Sequence, residues 1–187
     1  MSVLPIVTYN APVLRAKAKA LDENSGELQT LIDDMFETMY NSNGVGLAAP
    51  QIGMSLQLFV MDANAVTEDL EGEEDLGPMV FINPEIIELK GEKVRMEEGC
   101  LSIPDVRDEI VRFDVTVVKY RDREFNEQTI KANGWVSRVI QHEFDHLSGK
   151  LFIDYLSAFR KRLHKSLLKK IDSGEIEVEY PLAPKSH

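Results

Sequence analysis

Apolar residues recur along the chain with two periods, helical in some stretches and alternating in others. Leu28, Leu31, Ile32, Met35, Phe36 and Met39 fall at i, i+3, i+4 spacing, which predicts a helix that buries one face. Ser25 is placed to cap its first turn, and Asn43-Gly44 supplies the stop. The following GVGLAAPQIG reads as a glycine-rich turn, because Pro50 argues against continuous helix. Residues 56–61 read as a strand, and strands are expected at 79–82 and 85–96, with turns at Asn83-Pro84 and Lys90-Gly91. Val111, Phe113, Val115 and Val117 alternate strictly, which predicts a half-buried strand, and residues 125–131 are its expected partner. A second helix is expected from about 133 to 147, stopped at Gly149, with Val136, Val139, Ile140 and Leu147 on its buried face. A third, about 155–171, carries Leu156, Phe159, Leu163, Leu167 and Ile171 on one side. Helices and strands mix without regular βαβ alternation, so the expected class is α+β, with antiparallel sheets packed around a central helix. The 187 residues fit one domain, in which 158–187 form a basic C-terminal helix and tail.

Charge and composition narrow the class. A net charge of −11 argues against DNA binding through the whole surface. The single cysteine excludes an intrachain disulfide. No signal-peptide pattern and no membrane-length apolar run is present, so a cytoplasmic protein without membrane contact is expected. The charge is segregated. Residues 68–75 hold six acids and no base, read as a solvated surface loop, whereas 155–171 hold six Lys or Arg and no acid.

The strongest chemical signal is His142-Glu143-Phe144-Asp145-His146, an HExxH on the second helix. Four residues apart, the imidazoles project from one face and can share a tetrahedral metal. Glu143 is too near His142 to be a natural third ligand and is placed to take a proton from water that the metal activates. An unpaired acid on a buried helix face is costly, and such a partner accounts for it. The alternative is a chance HExxH on a solvated face. The third ligand is not where zinc peptidases keep theirs: position 152 is Phe, and no acid occurs between 155 and 171. His164 lies in the basic helix and His187 is the last residue. Cys100, in EEGCLSIP between Gly99 and Pro104, is the remaining choice, and two His with one Cys leave a fourth position open.

GVGLAA also fits the G-x-G-x-x-A dinucleotide pattern, but a helix precedes it and Pro50 follows, the reverse of the strand-then-helix context that motif needs. Two readings stay open: a tight turn needing glycine, or backbone that approaches a substrate, with Gln51 donating to an oxyanion.

Three segments, Gly44-Val45-Gly46-Leu47-Ala48-Ala49-Pro50-Gln51, Glu98-Gly99-Cys100-Leu101-Ser102 and Gln141-His142-Glu143-Phe144-Asp145-His146-Leu147, resemble the signatures of peptide deformylases, in family order. Pro12-Val13-Leu14-Arg15 and Gly149-Lys150-Leu151-Phe152-Ile153-Asp154 are similar too, so the resemblance spans about residues 4–156. It implies a hydrolase that removes the formyl group from nascent formyl-methionyl polypeptides. It implies one divalent metal on Cys100, His142 and His146, naturally Fe(II), although Zn, Ni and Co accept this set and zinc binds at least as tightly. Glu143 would be the base and then the acid, with Gln51 and the Leu101 N–H on the oxyanion. Val45, Gly46, Met96, Glu98, Gly99, Arg107, Trp135 and Val139 would form the substrate site.

Trp135 departs from the family's usual Leu. It either lines the methionine pocket with Met96 and Val139 or only fills core. Arg160, Lys161, Arg162, Lys165, Lys169 and Lys170 are either a solvated face or, as the resemblance implies, a transient contact with the ribosome. A zinc peptidase and a non-catalytic metal-stabilised binding module are the competing functions. The first lacks its third-ligand signature, and the second gives no reason for Glu143.

Overall fold

The computed structural model describes residues 1–67 and 76–184, so the acidic run 68–75 lies outside the described residues. Five strands form one antiparallel sheet in sequence order: β1 (Gly46–Ala48), β2 (Leu58–Asp62), β3 (Pro78–Cys100), β4 (Ile103–Arg121) and β5 (Glu127–Asn133). Helices α1 (Gly26–Asn41) and α3 (Gly134–Leu147) cover it, with α2 (Asn64–Thr67) after β2 and α4 (Ala158–Leu163) and α5 (Lys165–Ser173) near the C-terminus. The α+β expectation holds.

Strand β2 explains the layering. Its residues Leu58, Phe59, Val60 and Met61 are all buried, and alternate side chains leave opposite faces. Leu58 and Val60 pack with Leu28, Ile32, Met35 and Met39 of α1. Phe59 and Met61 pack with Phe81, Val136, Val139 and Ile140, the last three on α3. Each such side chain contributes roughly 1.5–3 kcal/mol on burial, so the two helices are fixed against one strand from both sides. Ser25 caps α1 as expected, its Oγ accepting from the Leu28 N–H at 3.1 Å.

Four expectations need correction. The turns at 83–84 and 90–91 do not end strands: β3 runs through both, and its register against β4 shifts between Ile82 and Glu85 and between Lys90 and Lys93. These are bulges. Asn83 takes a φ of +49° while its amide bonds the N–H and carbonyl of Leu21, so the chain bends there without losing its neighbour. The glycine-rich turn contains β1, whose Gly46 pairs with Met61, before a 3₁₀ turn at Ala49–Ile52. The third helix is broken: α4 and α5 meet at His164, and Phe159 and Leu163 are 67% and 58% exposed rather than buried. The inward face of β4 is the opposite of the one that Val111, Phe113, Val115 and Val117 imply. Val111 is 44% exposed, whereas Asp108, Arg112 and Thr116 point inward.

The two ends of the chain meet. The Ile6 N–H donates to the Pro181 carbonyl at 2.9 Å and the Ala183 N–H to the Ile6 carbonyl at 2.8 Å. Among the described residues no helix is long and apolar enough to cross a membrane.

Candidate metal centre and its cleft

Helix α3 delivers the HExxH. Its C-terminal end is fixed by Gly149 at φ +73°, where a Cβ would meet the Arg15 carbonyl. The Lys150 N–H returns to the Asp145 carbonyl at 2.9 Å. Cys100 arrives from the end of β3, and its Sγ lies 3.4 Å from His146 Nε2. One ligand atom from each of Cys100, His142 and His146 lies within 4.8 Å of the others. A thiolate and two imidazoles at this spacing can hold a divalent ion of zinc or iron type.

Beneath the ligands is a buried charge network that the sequence did not announce. His142 Nδ1 lies 2.9 Å from Glu98, which also accepts from Arg112 at 2.6 and 3.0 Å and from Arg138 at 2.9 Å. Arg112 reaches Asp145 at 2.8 Å, and the Tyr155 hydroxyl donates to the same carboxylate at 2.9 Å. Burial would raise the Glu98 carboxyl, but His142 and Arg112 outweigh it and hold it well below the usual carboxylate range. The ligands themselves differ. Burial and the charges of His142 and Arg112 push His146 down, toward the neutral form that binds a metal. His142 is pushed up in spite of burial, through Cys100 and Glu98.

Glu143 is buried and its Oε2 has no partner among the described residues. Burial pushes its carboxyl up to about 7, with His142 and Arg112 opposing and Glu98 and Asp145 adding. Gly46 sits directly against it, because a Cβ there would collide with the carboxylate. The close approach of the acid is thus a reason for glycine at position 46 beside the two readings of the turn, and it leaves both of them open. Gln51 is buried and pinned. Its Oε1 accepts from the Ala48 N–H at 2.8 Å, which turns its amide N–H toward Cys100 and Ser102, each 3.4 Å away. The Tyr180 hydroxyl donates to the Leu101 carbonyl at 2.8 Å, and burial, with Cys100 and Asp105 nearby, raises its pKa and keeps it a donor.

These groups open onto a cleft of about 700 Å³. Val45, Gly46, Glu98, Gly99, Arg107, Trp135 and Val139 line it. Trp135 is therefore a wall rather than core filler. Met96 is not among the lining residues: it is half-buried on β3 opposite Ile110. Glu98 lines the cleft, but its carboxylate is already taken by His142, Arg112 and Arg138.

A family model described as polypeptide deformylase matches residues 3–162. A peptide deformylase of Salinibacter ruber is 50% identical over 186 residues, covering 98% of this chain and 95% of that one. The chain belongs to the polypeptide deformylase family. It is a hydrolase that takes the N-terminal formyl group from nascent polypeptides. A second deformylase, of Chlorobium phaeovibrioides, is 49% identical over 97% of this chain and 93% of its own length. Among solved structures, the deformylase of Ehrlichia chaffeensis superposes with a TM-score of 0.84 at 42% identity, over 94% of this chain and all of that one. The same protein is known in complex with actinonin.

Proposed function

We propose that the cleft hydrolyses the formyl amide of formyl-methionyl polypeptides with Glu143 as the proton carrier. The observation that supports this most is the buried Glu143 carboxylate, whose Oε2 has no partner among the described residues, beside three converging ligand atoms. Cys100, His142 and His146 would hold one divalent cation, iron(II) in the cell, which zinc, nickel or cobalt can replace in purified protein. When bound, such an ion supplies Lewis acidity that lowers the pKa of water and polarises a carbonyl oxygen.

The chain's own groups do the rest. Glu143 accepts the proton of the water that attacks the formyl carbon and returns it to the leaving amine, so formate and a free N-terminus are released. The Gln51 amide and the Leu101 N–H donate to the formyl oxygen as it gains charge, and the Gln51 amide is held before reaction begins through its Oε1, which accepts from the Ala48 N–H. Val45 and Gly46 on one side and Gly99 and Arg107 on the other receive the peptide, while Trp135 and Val139 take the methionine side chain. Residues 1–187 act as one catalytic domain in the cytoplasm. The exposed Lys161, Arg162, Lys165, Lys169 and Lys170 offer a transient, salt-sensitive contact to the ribosome. Arg160 is spent on Asp108.

Mass spectrometry of formyl-Met-Ala-Ser after incubation with iron-loaded protein tests the reading. Formate and Met-Ala-Ser are expected. Formyl-Met with Ala-Ser would mark a peptidase instead, and unchanged peptide a binding module.

A further inference from the structure

The C-terminal segment 175–183 is built into the mouth of the cleft, beyond the residues 3–162 that the family model matches. Four contacts fix it there. Tyr180 bonds the Leu101 carbonyl, the Pro181 carbonyl and Ala183 N–H pair with Ile6, Tyr180 and Leu182 pack on the core beside α1, and Ile176 packs on the cluster around Leu14. The segment alternates. Ile176, Val178 and Tyr180 are half-buried, whereas Glu177 and Glu179 are exposed, and Glu177 through Tyr180 line the same cleft as Glu143.

The charge at this mouth is one-sided. Among the described residues the arginines and lysines that line the cleft are Arg107, 3.9 Å from Glu97, and the buried Arg138, which is bonded to Glu98. Among the described residues no cation lies within ion-pair distance of Asp105, Glu177 or Glu179, which line the cleft as well. A peptide held by its formyl-methionine at Glu143 would run outward through a cleft that these carboxylates line. We infer that the segment Glu177–Tyr180 is a wall of the substrate site, and that Glu177 and Glu179 select nascent chains with cationic residues after the formyl-methionine. Tyr180 positions this wall by tying it to Leu101. The inference rests on the deformylase reading of the cleft and adds a sequence preference to it.

Formate release from formyl-Met-Ala-Lys-Lys, formyl-Met-Ala-Gln-Gln and formyl-Met-Ala-Glu-Glu tests it, with kcat/KM measured on iron-loaded full-length protein at low salt and at 0.5 M salt. The neutral peptide separates the two claims, since its cleavage stands on the catalytic groups, whereas the Lys-to-Glu ratio stands on the wall. Two exposed carboxylates should favour the Lys peptide over the Glu peptide by about fivefold at low salt, mostly through KM, and high salt should erase most of it. E177Q/E179Q should bring the ratio near one, and E177K/E179K should invert it. A ratio that the double substitutions leave unchanged, or that high salt does not reduce, would overturn the inference.

Discussion

His142 Nδ1 lies 2.9 Å from the carboxylate of Glu98, which therefore accepts the Nδ1 proton and leaves the ring's other nitrogen for the metal. The same carboxylate is the counter-charge for Arg112 and Arg138, so ligand orientation and a buried ion network share one side chain.

Glu98→Gln keeps the shape and removes the charge. It leaves the buried Arg138 without its carboxylate and Arg112 with Asp145 alone, and breaking such a buried pair costs about 3–5 kcal/mol. Metal affinity should fall about 10–100-fold, as when an outer-shell partner of a ligating histidine is lost. Competition with a chelator measures it, and unchanged affinity would show that Glu98 does not orient His142.

Gly46→Ala places a methyl group where the Glu143 carboxylate lies. The acid must move, and a displacement of about 1 Å at a catalytic group costs about 100-fold in rate. Turnover should fall by that order while bound metal, measured on the same sample, stays at one equivalent. A fully active variant would mean that the carboxylate has room to spare.

Asp108 ties α4 to β4 through Arg160 and through His164, whose Nε2 is 2.7 Å away. Burial alone would raise its carboxyl, but the hydrogen bonds from Arg160 and His164, with the Glu109 N–H, hold it below the ordinary 3.8. A carboxyl depressed in the folded state contributes stability above its unfolded pKa and loses it as pH falls through the folded value. Asp108→Asn should therefore lower Tm at pH 7, and the gap from the parent should close as pH drops below about 3.8. A gap independent of pH would assign the loss to packing alone.

Much of this site could be read from the chain, and the rest was hidden because it depends on partners far away in sequence. HExxH declares itself because helical spacing alone brings two imidazoles together. Cys100 could be reached because the usual third ligands are missing. Arg112 and Asp108 were hidden because they occupy the inward face of β4, while Val111 and its alternating neighbours imitate a core face on the other side. A pattern of apolar residues predicts burial by transfer energy, and it cannot see a buried charge that is stabilised by partners 14 to 56 residues away in sequence. The bulges at Asn83 and Gly91 carry real turn signals, and only the neighbouring strand shows that the ladder continues past them. Tyr180 has no motif at all. Its role comes from the two chain ends meeting at Ile6.

The most direct test of the chemistry is formate release by Glu143→Ala, compared with the parent at equal metal content. Cys100, His142 and His146 remain, so the variant should hold one equivalent of metal and lose nearly all turnover on formyl-Met-Ala-Ser. A metal-loaded variant that keeps the parent's rate would remove Glu143 from the reaction and contradict the mechanism built on it.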